Sequence, residues 1–106
     1  MVITESPRQG EIWWAEAEDK RRPVLIITRT FATSRLNRII VAPVTKTVRG
    51  IPTEIPLGAE HGLAYESAAT FDNLHPIALG ALTERIGRLE MANEFICRAL
   101  SAMADC

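Results

Sequence analysis

Arg21-Arg22-Pro23-Val24-Leu25-Ile26-Ile27-Thr28 is the stretch from which the fold can be read. Two adjacent cations run straight into an apolar, β-branched segment, which favours a strand. Proline has no N–H, so Pro23 suits the first residue of a strand and not its middle. The strand reads as residues 23–29. It is apolar almost throughout, as a strand buried on both faces should be. Arg22 then stands at a strand entrance, on rigid backbone. A second such run, Arg38-Ile39-Ile40-Val41-Ala42-Pro43-Val44-Thr45, ends in a hydroxyl, with Lys46, Thr47 and Arg49 close behind. Its Pro43 marks an edge or a bulge. A fixed guanidinium near a fixed hydroxyl, in a basic field, is what binding or cleaving a phosphodiester needs.

Working outward, Gly10-Glu11-Ile12-Trp13-Trp14-Ala15-Glu16 forms a first strand, joined to the next by a short charged turn over residues 17–21. Successive strand side chains point to opposite faces. Ile12 and Trp14 therefore share the core face, and Trp13 points outward as a candidate interface residue for a partner. Residues 30–37 read as a loop anchored by Phe31. Residues 53–57 alternate as an edge strand, with Thr53, Ile55 and Leu57 on one face. A loop over 58–67 leads to a short strand at 68–72, which ends in the turn pair Asp72-Asn73. Residues 74–81 connect to a last strand at 82–86. Over residues 90–103, Met91, Phe95, Ile96, Ala99, Leu100 and Met103 recur at helical spacing, a greasy face for a core or a subunit interface. Residues 1–9 read as a disordered lead-in, and residues 10–106 as a single domain. Short strands plus a terminal helix, with no βαβ rhythm, predict a mainly β fold: a small, partly closed antiparallel barrel with a C-terminal helix.

The composition is ordinary for a globular chain: 106 residues, 47% hydrophobic and 24% charged. No run approaches the roughly 18 apolar residues of a membrane span. The N-terminus has no apolar signal region, so a cytoplasmic protein is expected. The net charge of −1 hides an asymmetry. Residues 20–49 hold eight cations and no Asp or Glu, and the rest of the chain holds four cations and thirteen acids. Blocks of one sign in a near-neutral protein suggest a surface that faces a polyanion.

Several chemistries find no residues here. There is no Gly-rich phosphate loop and no nucleophile elbow. Cys97, Cys106, His61 and His75 match no zinc spacing, so no metal or cofactor is expected. Cys97 reads as a small hydrophobe on the helix and Cys106 as a tail residue. What remains is Arg22 and Thr45, flanked by Arg21, Lys46, Thr47, Arg49 and the Asp72-Asn73 turn. RNA can be cut without a metal when the neighbouring 2′-hydroxyl attacks the phosphate. Arg supplies a bidentate fork for that phosphate but is not a base. Thr45 can donate to a non-bridging oxygen or orient the 2′-hydroxyl. Catalysis would be mostly positioning and electrostatics.

The ordered set Gly10-Glu11-Ile12-Trp13-Trp14, Arg22-Pro23-Val24-Leu25-Ile26-Ile27, Ala42-Pro43-Val44-Thr45 and Phe71-Asp72-Asn73 resembles the MazF/PemK family of bacterial toxin endoribonucleases. Arg85-Ile86-Gly87-Arg88-Leu89 also fits. The resemblance covers residues 10–103. It implies an SH3-like barrel, a homodimer and metal-independent, sequence-selective cleavage of single-stranded RNA. It further implies inhibition by a cognate antitoxin with an acidic, apolar C-terminal segment. The family's catalytic Arg before Pro falls on Arg22, and its Ser/Thr at the end of the third strand falls on Thr45. The chain departs from the family in its first loop. Many members carry a longer one with Gly-Ser-Glu, where only residues 17–21 stand here, and Asp19 is the acidic candidate left to partner Arg22. The runner-up reading is a non-catalytic protein of the same fold, either a CcdB-like gyrase poison or an RNA-binding barrel. Gyrase poisons depend on an apolar C-terminal tip with Trp, and this chain ends Ala104-Asp105-Cys106.

Overall fold

In a computed structural model, residues 6–17, 20–30 and 36–104 are described. β1 (Glu11–Ala17) pairs antiparallel with β2 (Lys20–Ile26), Ile12 opposite Leu25 and Trp14 opposite Pro23. Pro23 thus lies inside β2 and not at its start. Pairing of β2 with β3 (Arg38–Thr45) begins only at Val24, so the missing N–H removes no bond on the β3 side. β3 changes partners along its length. Residues 38–41 pair with β6 (His75–Ala78), whereas Val44 and Thr45 pair with β5 (Ser67–Thr70). Pro43 sits at that changeover, which is where a residue without a donor is tolerated.

β4 (Glu54–Leu57) continues from β5 as one edge, and β7 (Leu82–Arg88) pairs with β1 as the other. The strand order β4-β5-β3-β2-β1-β7, with β6 beside β3, makes a mainly β, curled antiparallel half-barrel. A helix, α1 (Ala92–Met103), follows it. The strand β6 stands inside what the sequence suggested was a connection. It is four residues long and includes Pro76, and only the non-local partner β3 makes it a strand.

Strict alternation along β1, β2 and β3 fills two cores. One face carries Ile12, Leu25, Ile27, Ala42 and Val44, which pack with Phe71, Leu89 and Ile96 inside the curl. The opposite face carries Trp13, Ala15, Val24, Ile26, Ile39 and Val41, which pack with Leu82. The expectation of an outward Trp13 is therefore corrected. Trp13 is 6% exposed. The register told which residues share a face, but both faces of this sheet are covered. Its indole Nε1 donates to the buried Glu11 carboxylate at 3.0 Å, and Arg85 closes on the other oxygen of Glu11 at 3.1 Å. Trp14, expected in the core, is only half-buried: it stands midway along β1, outside the inner cluster that holds Ile12.

α1 buries Ile96 and Ala99 against the inner core, while Met91, Phe95, Leu100 and Met103 remain exposed beside them. Met91 precedes the helix in the left-handed region, with φ 55°. Cys97 is exposed on α1, its thiol donating to Asn93. Phe31, Asp19 and Cys106 lie outside the described residues. Within the stretch read as a lead-in, Gln9 donates from its side chain to the Ile27 carbonyl and from its backbone to Thr30. Between β4 and β5 the chain packs backbone to backbone on β7. A Cβ on Gly87 would collide with the His61 carbonyl oxygen, and one on Gly62, at φ +86°, with that of Ile86. His61 itself accepts a hydrogen bond from the Gly58 N–H at 3.0 Å, bracing the same loop. Among the described residues no helix is long and apolar enough to cross a membrane.

Candidate active site

β2 and β3 carry the candidate residues to one end of the sheet. Arg21 and Arg22 lie in the part of β2 that pairs with β1, ahead of its pairing with β3, and Thr45 closes β3 where Lys46 and Thr47 leave it. A cavity of about 540 Å³ opens between them, with Arg21, Arg22, Thr45, Lys46, Thr47 and Arg49 in its walls. Pro23, Pro43 and Val44 also line it, and Asn73 reaches it from the turn after β5. Of the eight cations in the basic segment, four line this cavity. Their mutual repulsion is relieved when an anion enters, which makes the cavity electrostatically suited to phosphate.

The hydrogen bonds fit the same role. The Arg22 guanidinium is exposed and has no partner among the described residues, and such a fork suits a phosphate. Thr45 Oγ1 accepts from the Thr47 N–H at 3.1 Å. That bond fixes the hydroxyl oxygen and leaves its hydrogen to donate into the cavity.

Glu54 and Thr70 also line the cavity, and sequence reading missed both. Glu54 is the acid there. Its Oε1 accepts from the backbone N–H of Arg49 at 2.9 Å and of Gly50 at 3.0 Å, clamping the turn that presents Arg49. The only signal for it in the sequence was a carboxylate on an edge strand soon after the basic run. Asp72 is placed differently from Asn73. It accepts from the Thr53 hydroxyl at 2.9 Å, tying the turn to the start of β4, and does not line the cavity. Trp13 is remote from it, within the second core. Among the described residues, no three of His, Cys, Asp or Glu converge as a metal site.

A second groove of about 370 Å³ adjoins the first across Arg21, Pro23, Val44, Thr45 and Lys46. Its other walls are Trp14, Leu63, Ala64 and Tyr65, with Gly62 and Ser67. Cations cap both aromatic rings, Arg21 above Trp14 at 4.3 Å and Lys46 above Tyr65 at 4.2 Å. Arg21 also meets Glu84 at 3.5 Å across the rim.

Fold and cleft together define a small SH3-like barrel with a cation-lined cavity at its strand ends. Residues 8–102 match the family described as PemK-like, MazF-like toxin of type II toxin-antitoxin systems. The chain belongs to that family. The probable endoribonuclease MazF5 of Mycobacterium tuberculosis is 38% identical over 107 residues, covering 98% of each chain. Endoribonuclease MazF3 of the same species is 43% identical over 76 residues, 72% of this chain and 74% of its own. The solved M. tuberculosis toxin MazF-mt6 superposes with a TM-score of 0.78 at 38% identity, over 85% of this chain and 91% of its own. The MazE–MazF structure from Deinococcus radiodurans shares the fold, with a TM-score of 0.75 at 17% identity, over 96% of this chain and 99% of its own.

Proposed function

We propose that this chain is the toxin of a type II toxin–antitoxin pair and cleaves single-stranded RNA in the bacterial cytoplasm without a metal ion. Residues 10–106 form its single toxin domain. One observation carries the reading: a single cavity brings the exposed guanidinium of Arg22 and the oriented hydroxyl of Thr45 together with Arg21, Lys46 and Arg49. The 2′-oxygen forms the new bond to phosphorus as the bond to the 5′-oxygen breaks. The 2′-hydroxyl loses a proton and the leaving oxygen gains one. The products are a 2′,3′-cyclic phosphate and a 5′-hydroxyl. Arg22 holds the non-bridging oxygens as charge builds on them, and Thr45 donates to one of them. Lys46, Thr47, Arg49 and Asn73 hold the flanking backbone. DNA lacks the attacking hydroxyl and survives.

The relatives named endoribonuclease support the activity, and the solved structures of an endoribonuclease with its cognate antitoxin and of MazE–MazF support the partner. An acidic, apolar C-terminal segment of that antitoxin, disordered until bound, meets Arg21, Arg22, Lys46 or Arg49 and excludes RNA. The exposed Met91, just before α1, and Phe95, Leu100 and Met103 on it suit a homodimer.

The test is to incubate the pure protein with a long RNA and saturating chelator, then map the new ends. Fragments with 2′,3′-cyclic phosphate ends are expected. Cleavage lost in chelator and restored by Mg²⁺ or Mn²⁺ would overturn the mechanism. Exclusion is checked by titrating antitoxin peptide into RNA bound to the Thr45→Val protein. A ternary complex at saturating peptide means that the two sites are separate.

A further inference from the structure

We infer that the second groove is a base-stacking subsite, taking the unpaired nucleobase next to the phosphate held by Arg22 and Thr45. Trp14 and Tyr65 are its platforms. This subsite rests on the endoribonuclease reading above, since it places the base by the reacting phosphate. Tyr65 is the telling residue. It is 61% exposed and belongs to neither core. A large aromatic side chain held in solvent buries little apolar surface and so adds little to stability. Yet its backbone is fixed: the Ser67 hydroxyl donates to the Tyr65 carbonyl at 2.9 Å. The loop before it is pinned on β7 by the close approach of Gly62 and Gly87. Trp14 faces the same groove from β1, and Leu63 and Val44 make the walls between them apolar.

The cations complete the picture. Arg21 and Lys46 cap the two rings and also line the phosphate cavity. A nucleobase offers its own π-face to an aromatic ring, whatever its identity. A base that enters the groove displaces the cations from the rings, and each has a phosphate within the adjoining cavity to turn to. Stacking and charge neutralisation therefore draw on the same two side chains. In the free protein, each ring holds one cation over a face, on the border between the grooves.

The test is a binding cycle on short single-stranded RNA, with each base replaced in turn by an abasic sugar. The Thr45→Val protein serves for affinity, so that the RNA stays intact, and the parent for kcat/KM. At one position beside the cut bond, the abasic sugar should weaken binding by about 5- to 150-fold, the range for one lost stack. Tyr65→Ala should weaken binding of intact RNA by no more than the abasic sugar does, since Trp14 remains, and should cause no further loss on that abasic RNA. Tyr65→Phe should bind within about twofold of Tyr65, because the ring is kept. The thermal midpoint should not move, since Tyr65 is outside both cores.

An affinity for intact RNA unchanged by Tyr65→Ala would overturn the subsite, leaving the groove to a protein side chain or to nothing. So would a Tyr65→Ala loss that persists equally at every abasic position. The abasic scan alone needs no second variant, and tolerance of every abasic sugar is equally fatal. A parent that binds RNA but does not cut it overturns the nuclease reading, and the affinity cycle still decides the subsite. A parent that binds no RNA overturns both.

Discussion

Trp13 and Trp14 are neighbours in β1, and the regions that they enter differ in every respect. Trp13 lies under a closed face, with Val24, Ile26, Ile39, Val41 and Leu82 around it and its one polar atom paired to Glu11. Trp14 lies where the other face ends, against Arg21 and an open groove. Both faces are built by the same three strands. The closed face needs a partner for each buried polar group, and it has them in Arg8, Trp13 and Arg85 around the Glu11 carboxylate. The open face leaves the Arg22 guanidinium without a partner among the described residues and the Thr45 hydroxyl with its hydrogen to donate. Chemistry therefore sits at the strand ends, where alternation still delivers side chains to a face that the core no longer fills.

The largest effect comes from breaking the closed face. Trp13→Ala removes a buried ring and leaves the Glu11 carboxylate short of a donor, so it should cost about 3–5 kcal/mol. Chemical denaturation would read this as a lower midpoint with an unchanged slope. A loss under about 1 kcal/mol would mean that this face is not packed as described.

Breaking the open face should do the reverse. Arg22→Ala and Thr45→Val should each lower kcat by two to three decades, about 3–4 kcal/mol of transition-state stabilisation. Neither should shift the denaturation midpoint appreciably, because Arg22 is exposed and Thr45 half-buried. Arg22→Lys should rescue poorly, since Lys lacks the planar fork. Cleavage within a few-fold of the parent in both would remove this pair from catalysis.

Which parts were legible beforehand follows from the same contrast. β3 was read to its boundaries, because an apolar run capped by charge at both ends needs no tertiary information. The group Arg21, Arg22, Thr45, Lys46, Thr47 and Arg49 was legible for a similar reason: each stands at or just beyond a strand end in its own segment. Asn73 came with a turn pair. Glu54, Thr70 and Tyr65 were not legible. They enter the two grooves only because β4 and β5 fold across β3, and nothing local marks them. Trp13 was misread because period 2 assigns residues to faces without saying what covers each face. β6 was missed because His75-Pro76-Ile77-Ala78 is a strand only beside residues 38–41.

A middle-sized effect probes the clamp behind the open face. Glu54 accepts two backbone N–H bonds from the turn that carries Arg49. Glu54→Ala should loosen that turn and lower kcat/KM about tenfold, on the order of 1–2 kcal/mol for charged hydrogen bonds in a half-exposed setting. Glu54→Gln keeps an acceptor and should recover most of the loss. If Glu54→Gln is as poor as Glu54→Ala, the carboxylate charge matters beyond its role as an acceptor for the turn.

The smallest effect lies on the rim, where the two grooves compete with the surface for Arg21. Glu84 Oε1 stands 3.5 Å from Arg21, with both side chains largely exposed. An exposed pair of this kind contributes about 0–1 kcal/mol, so Glu84→Gln should barely change stability. Its effect on RNA should have the opposite sign to every substitution above. Glu84 is an acid beside a phosphate site, and it holds a cation that the phosphate needs. Removing its charge frees Arg21 and lifts a repulsion, so RNA affinity should rise by no more than about fivefold. The gain should fade as salt is raised, because exposed charges are screened within about 8 Å at physiological ionic strength. Both proteins should still lose RNA with salt at a log–log slope of roughly −0.7 per phosphate contacted, the variant slightly more steeply, because one more cation then meets the backbone. Equal affinities at low salt would mean that Arg21 stays on Trp14 when RNA binds, and that the caps on the aromatic rings are permanent.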